Sequence, residues 1–125
     1  MSGDTISAET LKFVRSSFSS VWALELLFLM RRENDRAWSV ADLTRELRAS
    51  ETLVQAILPD FVKKGLVLET ARNVFRYHPA VSELERLVER VAAAYAQNRI
   101  KLINEIFRTP EPSAQSFARG FKLRR

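Results

Sequence analysis

Ser39-Val-Ala-Asp-Leu-Thr-Arg-Glu-Leu-Arg-Ala-Ser50 runs directly into Glu51-Thr-Leu-Val-Gln-Ala-Ile-Leu-Pro-Asp-Phe-Val-Lys-Lys-Gly65, and this stretch decides the fold. It holds two helix beginnings in close succession. Ser39 and Ser50 are each placed so that a side-chain oxygen satisfies a free amide in the first turn of the helix that follows. The first helix is expected over Val40 to Arg48 and the second from Glu51. Leu53, Val54, Ile57, Leu58, Phe61 and Val62 recur at helical spacing and form the inward face of the second. Lys63-Lys64 then suits the helix dipole, and Gly65 supplies a left-handed stop. Glu51, Thr52, Gln55, Pro59, Asp60 and Lys63 are left outward. Pro59 has no amide to offer the carbonyl of Gln55, which predicts a kink in mid-helix.

Downstream, the period changes from helical to extended. Leu66 to Leu68, a polar turn at Thr70 to Asn73, and Val74 to Tyr77 make a hairpin that Pro79 ends. One long helix is expected over Val81 to Phe107, free of glycine and proline, and Thr109-Pro-Glu-Pro112 closes it. Upstream, Ser7 to Phe18 has the spacing of a short helix. The serines at 16, 17, 19 and 20 interrupt it, and Ser20 caps an apolar helix over Val21 to Arg32. A charged turn, Glu33 to Arg36, and a very short strand at Ala37-Trp38 complete the order. The expected organisation is an N-terminal extension with a short helix (1–19), a domain at 20–79, a long helix at 80–108 and a basic tail at 109–125. The fold class is mainly α with a small β-hairpin.

These residues carry a resemblance. Trp38 to Ser50, Thr52 to Phe61, the exit Val62-Lys-Lys-Gly-Leu-Val67 and the returning strand Val74-Phe-Arg-Tyr-His-Pro79 resemble a winged helix-turn-helix. The order of elements over about residues 20–107 is closest to the multiple-antibiotic-resistance and PadR-type regulators. That resemblance implies a bacterial, dimeric transcription regulator bound to double-stranded DNA, with flanking helices that pair two chains. It also implies a small-molecule inducer site between those helices, although no polar constellation in the sequence identifies one. Winged helices also serve as protein-interaction modules, so an adaptor with little or no DNA binding stands as the second reading.

In such a motif the start of the second helix reads base edges. Ser50, Thr52 and Gln55 are the candidates there, with Gln55 suited to adenine and Thr52 to a thymine methyl or a phosphate. Lys63 and Arg45 are placed for phosphates, as is Arg48. Arg72, Asn73 and Arg76 belong to the wing, where an arginine can enter a minor groove. The blander readings are a solvated helix face and a hairpin turn that needs Asn73 for its backbone angles. The helix has no arginine, and Glu51 and Asp60 would repel phosphate. Leu84, Val88, Val91, Tyr95, Asn98, Leu102 and Ile106 follow alternating steps of four and three, so they form either a dimerisation seam, with Asn98 setting register, or a cover for their own domain.

Composition narrows the class. A chain of 125 residues, 46% hydrophobic, can bury one core without disulfides or metal. The absence of cysteine fits a reducing, cytoplasmic setting, and the apolar run Val21 to Met30 is too short to span a membrane. Net charge is +5, but Arg108, Arg119, Lys122, Arg124 and Arg125 stand against Glu111, so four of those five charges lie between Arg108 and Arg125. There Phe117, Phe121 and Leu123 alternate with Arg119, Lys122, Arg124 and Arg125, a pattern open to a phosphate-binding arm, a protein-docking motif or a solubilising end. Three glycines cannot build a phosphate-cradling loop, and the lone His78 has no triad or metal-ligand partners in sequence, so neither enzymatic activity nor a cofactor is expected.

Overall fold

The computed structural model describes residues 6–107. Among them are six helices and three short strands: α1 (Ala8–Ser17), α2 (Val21–Arg32), β1 (Trp38–Ser39), α3 (Val40–Leu47), α4 (Glu51–Lys63), β2 (Val67–Ala71), β3 (Val74–Tyr77), α5 (Ser82–Gln97) and α6 (Arg99–Phe107). Four helix starts are set by serine. The Oγ atoms of Ser7, Ser20, Ser39 and Ser50 accept from the amides of Thr10, Ala23, Asp42 and Leu53, at 3.1, 3.2, 3.0 and 3.0 Å. Each oxygen occupies an amide that no carbonyl of its own helix can reach.

The strands form one antiparallel sheet in the order β1-β3-β2. Trp38 faces Phe75 across β1 and β3, and Val67 faces Tyr77 across β2 and β3. The β2–β3 register slips between Glu69 and Ala71, leaving Thr70 as a bulge before the turn. Asn73 takes a left-handed conformation in that turn (φ 59°), a backbone region that asparagine tolerates better than most residues. Gly65 ends α4 with φ 77°, and a Cβ there would lie 3.3 Å from that of Ala80.

α2 is the centre of the molecule: Leu24, Leu26, Leu27 and Met30 are wholly buried. Val54, Ile57, Leu58 and Phe61 of α4 belong to the same core, to which the sheet contributes Trp38, Phe75 and Tyr77. Phe18 bridges the layers, edge-on to both Phe13 and Phe61 at centroid separations of 5.9 and 6.0 Å. No single helix among the described residues is long and apolar enough to cross a membrane, and α1 and α2 meet at a bend of 103°.

Two expectations about the C-terminal half change. The long helix is two helices, because Asn98 leaves helical geometry (φ −146°, ψ 68°). Its amide still closes α5 on Ala94 O at 2.7 Å, while its Oδ1 accepts from the Lys101 amide at 3.3 Å and so starts α6. Asn98 is therefore a cap within the chain. The bend also folds the apolar stripe inward. Val88, Val91, Leu102 and Ile106 are buried in the chain's own core, where α5 and α6 pack on α1, so these four do not form an outward seam. Leu84 is half-buried against that core, and Tyr95 packs its ring on Phe28 at 5.3 Å.

Candidate nucleic-acid interface

α3, the turn at Arg48-Ala49-Ser50 and α4 form the feature on which a site can be built. α3 closes when Arg48 adopts a left-handed conformation (φ 57°), which is unfavourable for a residue with a Cβ. The next residues then redirect the chain, and the cap at Ser50 launches α4. Val54, Ile57, Leu58 and Phe61 anchor α4 inward, so Glu51, Thr52, Gln55, Ala56, Pro59 and Lys63 are exposed together. The helix runs through Pro59 as one α-helical segment, despite the amide that proline removes.

The structure sorts the sequence candidates. Thr52 and Gln55 lie exposed on the first two turns of α4, and Lys63 lies exposed at its end. Arg72 is exposed at the hairpin tip, and neither Lys63 nor Arg72 has an ion pair among the described residues. Gln55, Glu69, Asn73 and Phe75 line one open cleft of about 370 Å³, together with Val40, Leu58, Pro59 and Val62. This cleft brings the front of α4 and the hairpin into a single surface.

Other candidates are already engaged. The hydroxyl oxygen of Ser50 accepts from the Leu53 amide, which makes it a cap before it is a contact. The Arg45 guanidinium donates to Asp42 at 2.5 Å, and Arg36 lies 3.7 Å from the same carboxylate, so these cations hold Asp42 below the usual carboxylate range, Arg45 through its hydrogen bond being the larger cause. The pair is exposed and screened by solvent, so it orients Arg45 without locking it. Asn73 acts through its backbone: its amide donates to the Glu69 carboxylate at 3.2 Å and its carbonyl accepts from the Val40 amide at 3.3 Å. Arg76 departs from expectation. Its Nε donates to the Asn34 carbonyl at 3.3 Å, and with Asp35, His78 and Glu85 it borders a different cleft, away from Gln55. Alternation along β3 puts Phe75 and Arg76 on opposite faces, and α4 lies on the Phe75 side. His78 is exposed, and its backbone amide donates to the Leu66 carbonyl at 3.0 Å. The tail candidates Arg119, Phe121, Lys122, Arg124 and Arg125 lie outside the described residues.

Sequence reasoning missed how the acidic residues are disposed. Asp60, read as a repulsive outward charge, is half-buried and paired with Lys64 at 2.7 Å, and Lys64 also donates to the Ser17 carbonyl at 3.3 Å. The i, i+4 spacing of Asp60 and Lys64 was the available signal. Glu69, by contrast, was not singled out and stands in the cleft itself. No family model, curated protein or solved structure matches the chain.

Proposed function

We propose that this chain is a winged helix-turn-helix transcription regulator that binds double-stranded DNA, with α4 as its reading helix and the β2–β3 hairpin as its wing. One observation carries the reading: α4 is fixed to the core on one face, while Thr52, Gln55 and Lys63 stay uncovered on the other, beside a hairpin tip whose Arg72 has no ion pair among the described residues. Thr52 and Gln55 are of the side-chain types that meet thymine methyls and adenine edges, and Lys63 and Arg72 suit phosphates or a minor groove. The pairing of Asp60 with Lys64 lowers the electrostatic cost of bringing α4 to phosphate.

α4 carries no arginine, so a single domain has few strong base contacts, and two copies on a two-fold site would double them. With Val88, Val91, Leu102 and Ile106 internal, such pairing needs another surface. A cytoplasmic bacterial setting belongs to the same proposal. The adaptor reading has its own support. The cleft between α4 and the hairpin is lined by Val40, Leu58, Pro59, Val62 and Phe75 and carries Glu69, which suits a peptide better than phosphate.

The test is fluorescence anisotropy of duplex DNA with the full chain across a salt series, after site selection, with light scattering for stoichiometry. Gln55→Ala should cost about 1–3 kcal/mol of discrimination at one base pair. Arg72→Ala should weaken binding to all sequences and reduce the salt slope by roughly one. Unchanged binding in both variants, or no binding at low salt, refutes the DNA reading and moves the search to protein partners.

A further inference from the structure

α6 is apolar on two sides. Leu102 and Ile106 are buried against the domain, while Ile100 and Phe107 point away from it, 68% and 72% exposed, with the half-buried Ile103 between them. Ile100, Ile103 and Phe107 follow i, i+3 and i+7, so they form one outward stripe roughly 11 Å long. A helix with apolar residues on both faces is ordinarily covered on both.

The stripe leads to a second feature. At the start of α6, Arg99 borders an open cleft of about 410 Å³ shared with Val21, Trp22, Leu29, Glu46 and Leu47. Its polar frame is ordered: the Tyr95 hydroxyl donates to Glu25 at 2.6 Å and accepts from Arg99 Nε at 3.1 Å. Burial, followed by the Glu25 carboxylate, raises the Tyr95 pKa and keeps that hydroxyl protonated. Glu46 has no ion pair among the described residues, and Trp22 is 43% exposed, whereas the other tryptophan, Trp38, is 1% exposed. Among the described residues, three of the five large exposed hydrophobic side chains, Trp22, Ile100 and Phe107, thus belong to α6 or to the cleft at its start.

We propose that the chain's own C-terminal segment, residues 113–125, docks along the outer face of α6 and into the Trp22 cleft. The segment starts where the uncovered stripe ends, just beyond Phe107. Its length suffices, because thirteen residues reach on the order of 40 Å when extended, several times the length of the stripe. Its chemistry matches: Phe117, Phe121 and Leu123 supply apolar cover, and Lys122, Arg124 and Arg125 supply cations for Glu46. The cleft also contains Arg32 and Arg99 beside Glu25 and Glu46, so apolar contact supplies most of the attraction and Glu46 orients it. Attachment to the same chain makes docking intramolecular, at an effective concentration that a free peptide or second copy would match only in the millimolar range. The tail is then part of the domain's covering, and the contact stands or falls independently of DNA binding.

Trp22 is the built-in probe. Acrylamide quenching of the full chain reads mainly Trp22, since Trp38 is inaccessible. Docking predicts weak quenching in the wild-type chain and a clear rise when Trp22 is uncovered by the double substitution Phe117→Ser, Phe121→Ser. Glu46→Lys should raise quenching part-way. Both variants lie on the surface or outside the described core, and far-UV circular dichroism checks that the fold is retained. Strong quenching of the wild-type chain, equal to that of the double variant, overturns the proposal. So does protection that survives the double substitution and disappears on dilution, which would assign the stripe to a second copy.

Discussion

Replacing Tyr77 by phenylalanine should stabilise the protein, and the size of the effect follows from one atom. Tyr77 is 5% exposed at the end of β3, and its hydroxyl is buried without a hydrogen-bond partner among the described residues. An unsatisfied buried hydroxyl costs roughly 1–3 kcal/mol, and Tyr77→Phe removes it while keeping the ring. With an unfolding entropy of about 2 cal/mol/K per residue, that gain raises Tm by roughly 4–11 °C in a chain of this length. The same burial, with a smaller contribution from Glu89, pushes the Tyr77 pKa up to about 12, against an opposing effect of Arg31. The folded state therefore binds the phenolic proton more tightly than the unfolded chain does. Stability from this group is fully present below pH 10 and falls as pH rises towards 12, by on the order of 2–3 kcal/mol. Thermal melts of wild type and Tyr77→Phe at pH 7 and pH 11, with tyrosinate absorbance followed alongside, check both statements. An unchanged or lower Tm in Tyr77→Phe at pH 7 would refute the reasoning, because it would mean that the hydroxyl is satisfied.

Two further outcomes follow from local geometry. Ser50→Ala should lower stability by about 1 kcal/mol in urea titrations, whereas Ser50→Gly should cost only a few tenths, because a glycine leaves the first turn of α4 open to water. Glu89 accepts a hydrogen bond from Arg31 Nε at 2.9 Å, and this bond holds its carboxyl below the usual range. Its contribution is present above the unfolded glutamate pKa and is lost as pH falls through the folded value. Since Glu89 is half exposed, Glu89→Gln should flatten the stability profile between pH 5 and pH 3 by only about half a kcal/mol.

The helix starts were legible because each rests on one side chain. Ser20, Ser39 and Ser50 cap where their sequence positions require, and Gly65 and Asn73 take the left-handed angles that residues with their freedom can adopt. The inward face of α4 was legible for a related reason: burial follows the helical period, and Val54, Ile57, Leu58 and Phe61 keep to it. What sequence spacing does not carry is the identity of the neighbour. The stripe from Leu84 to Ile106 has the same steps whether it meets a second chain or its own α1, and Asn98 interrupts the helix without disturbing those steps. Arg76 shows the same gap at the candidate site: alternation separates it from Phe75, but only the tertiary arrangement shows that α4 lies on the Phe75 side.

The junction between α4 and α5 has a mechanical consequence. Gly65 lies against Ala80, its carbonyl accepts from the Ala80 amide at 2.8 Å, and the neighbouring Leu66 carbonyl accepts from His78. The exit of α4 and the approach to α5 are thus riveted at one point, with the whole hairpin looped out between them. A load applied to α5 would act on α4 as on the short arm of a lever whose fulcrum is a glycine at φ 77°, where a Cβ would press on Ala80.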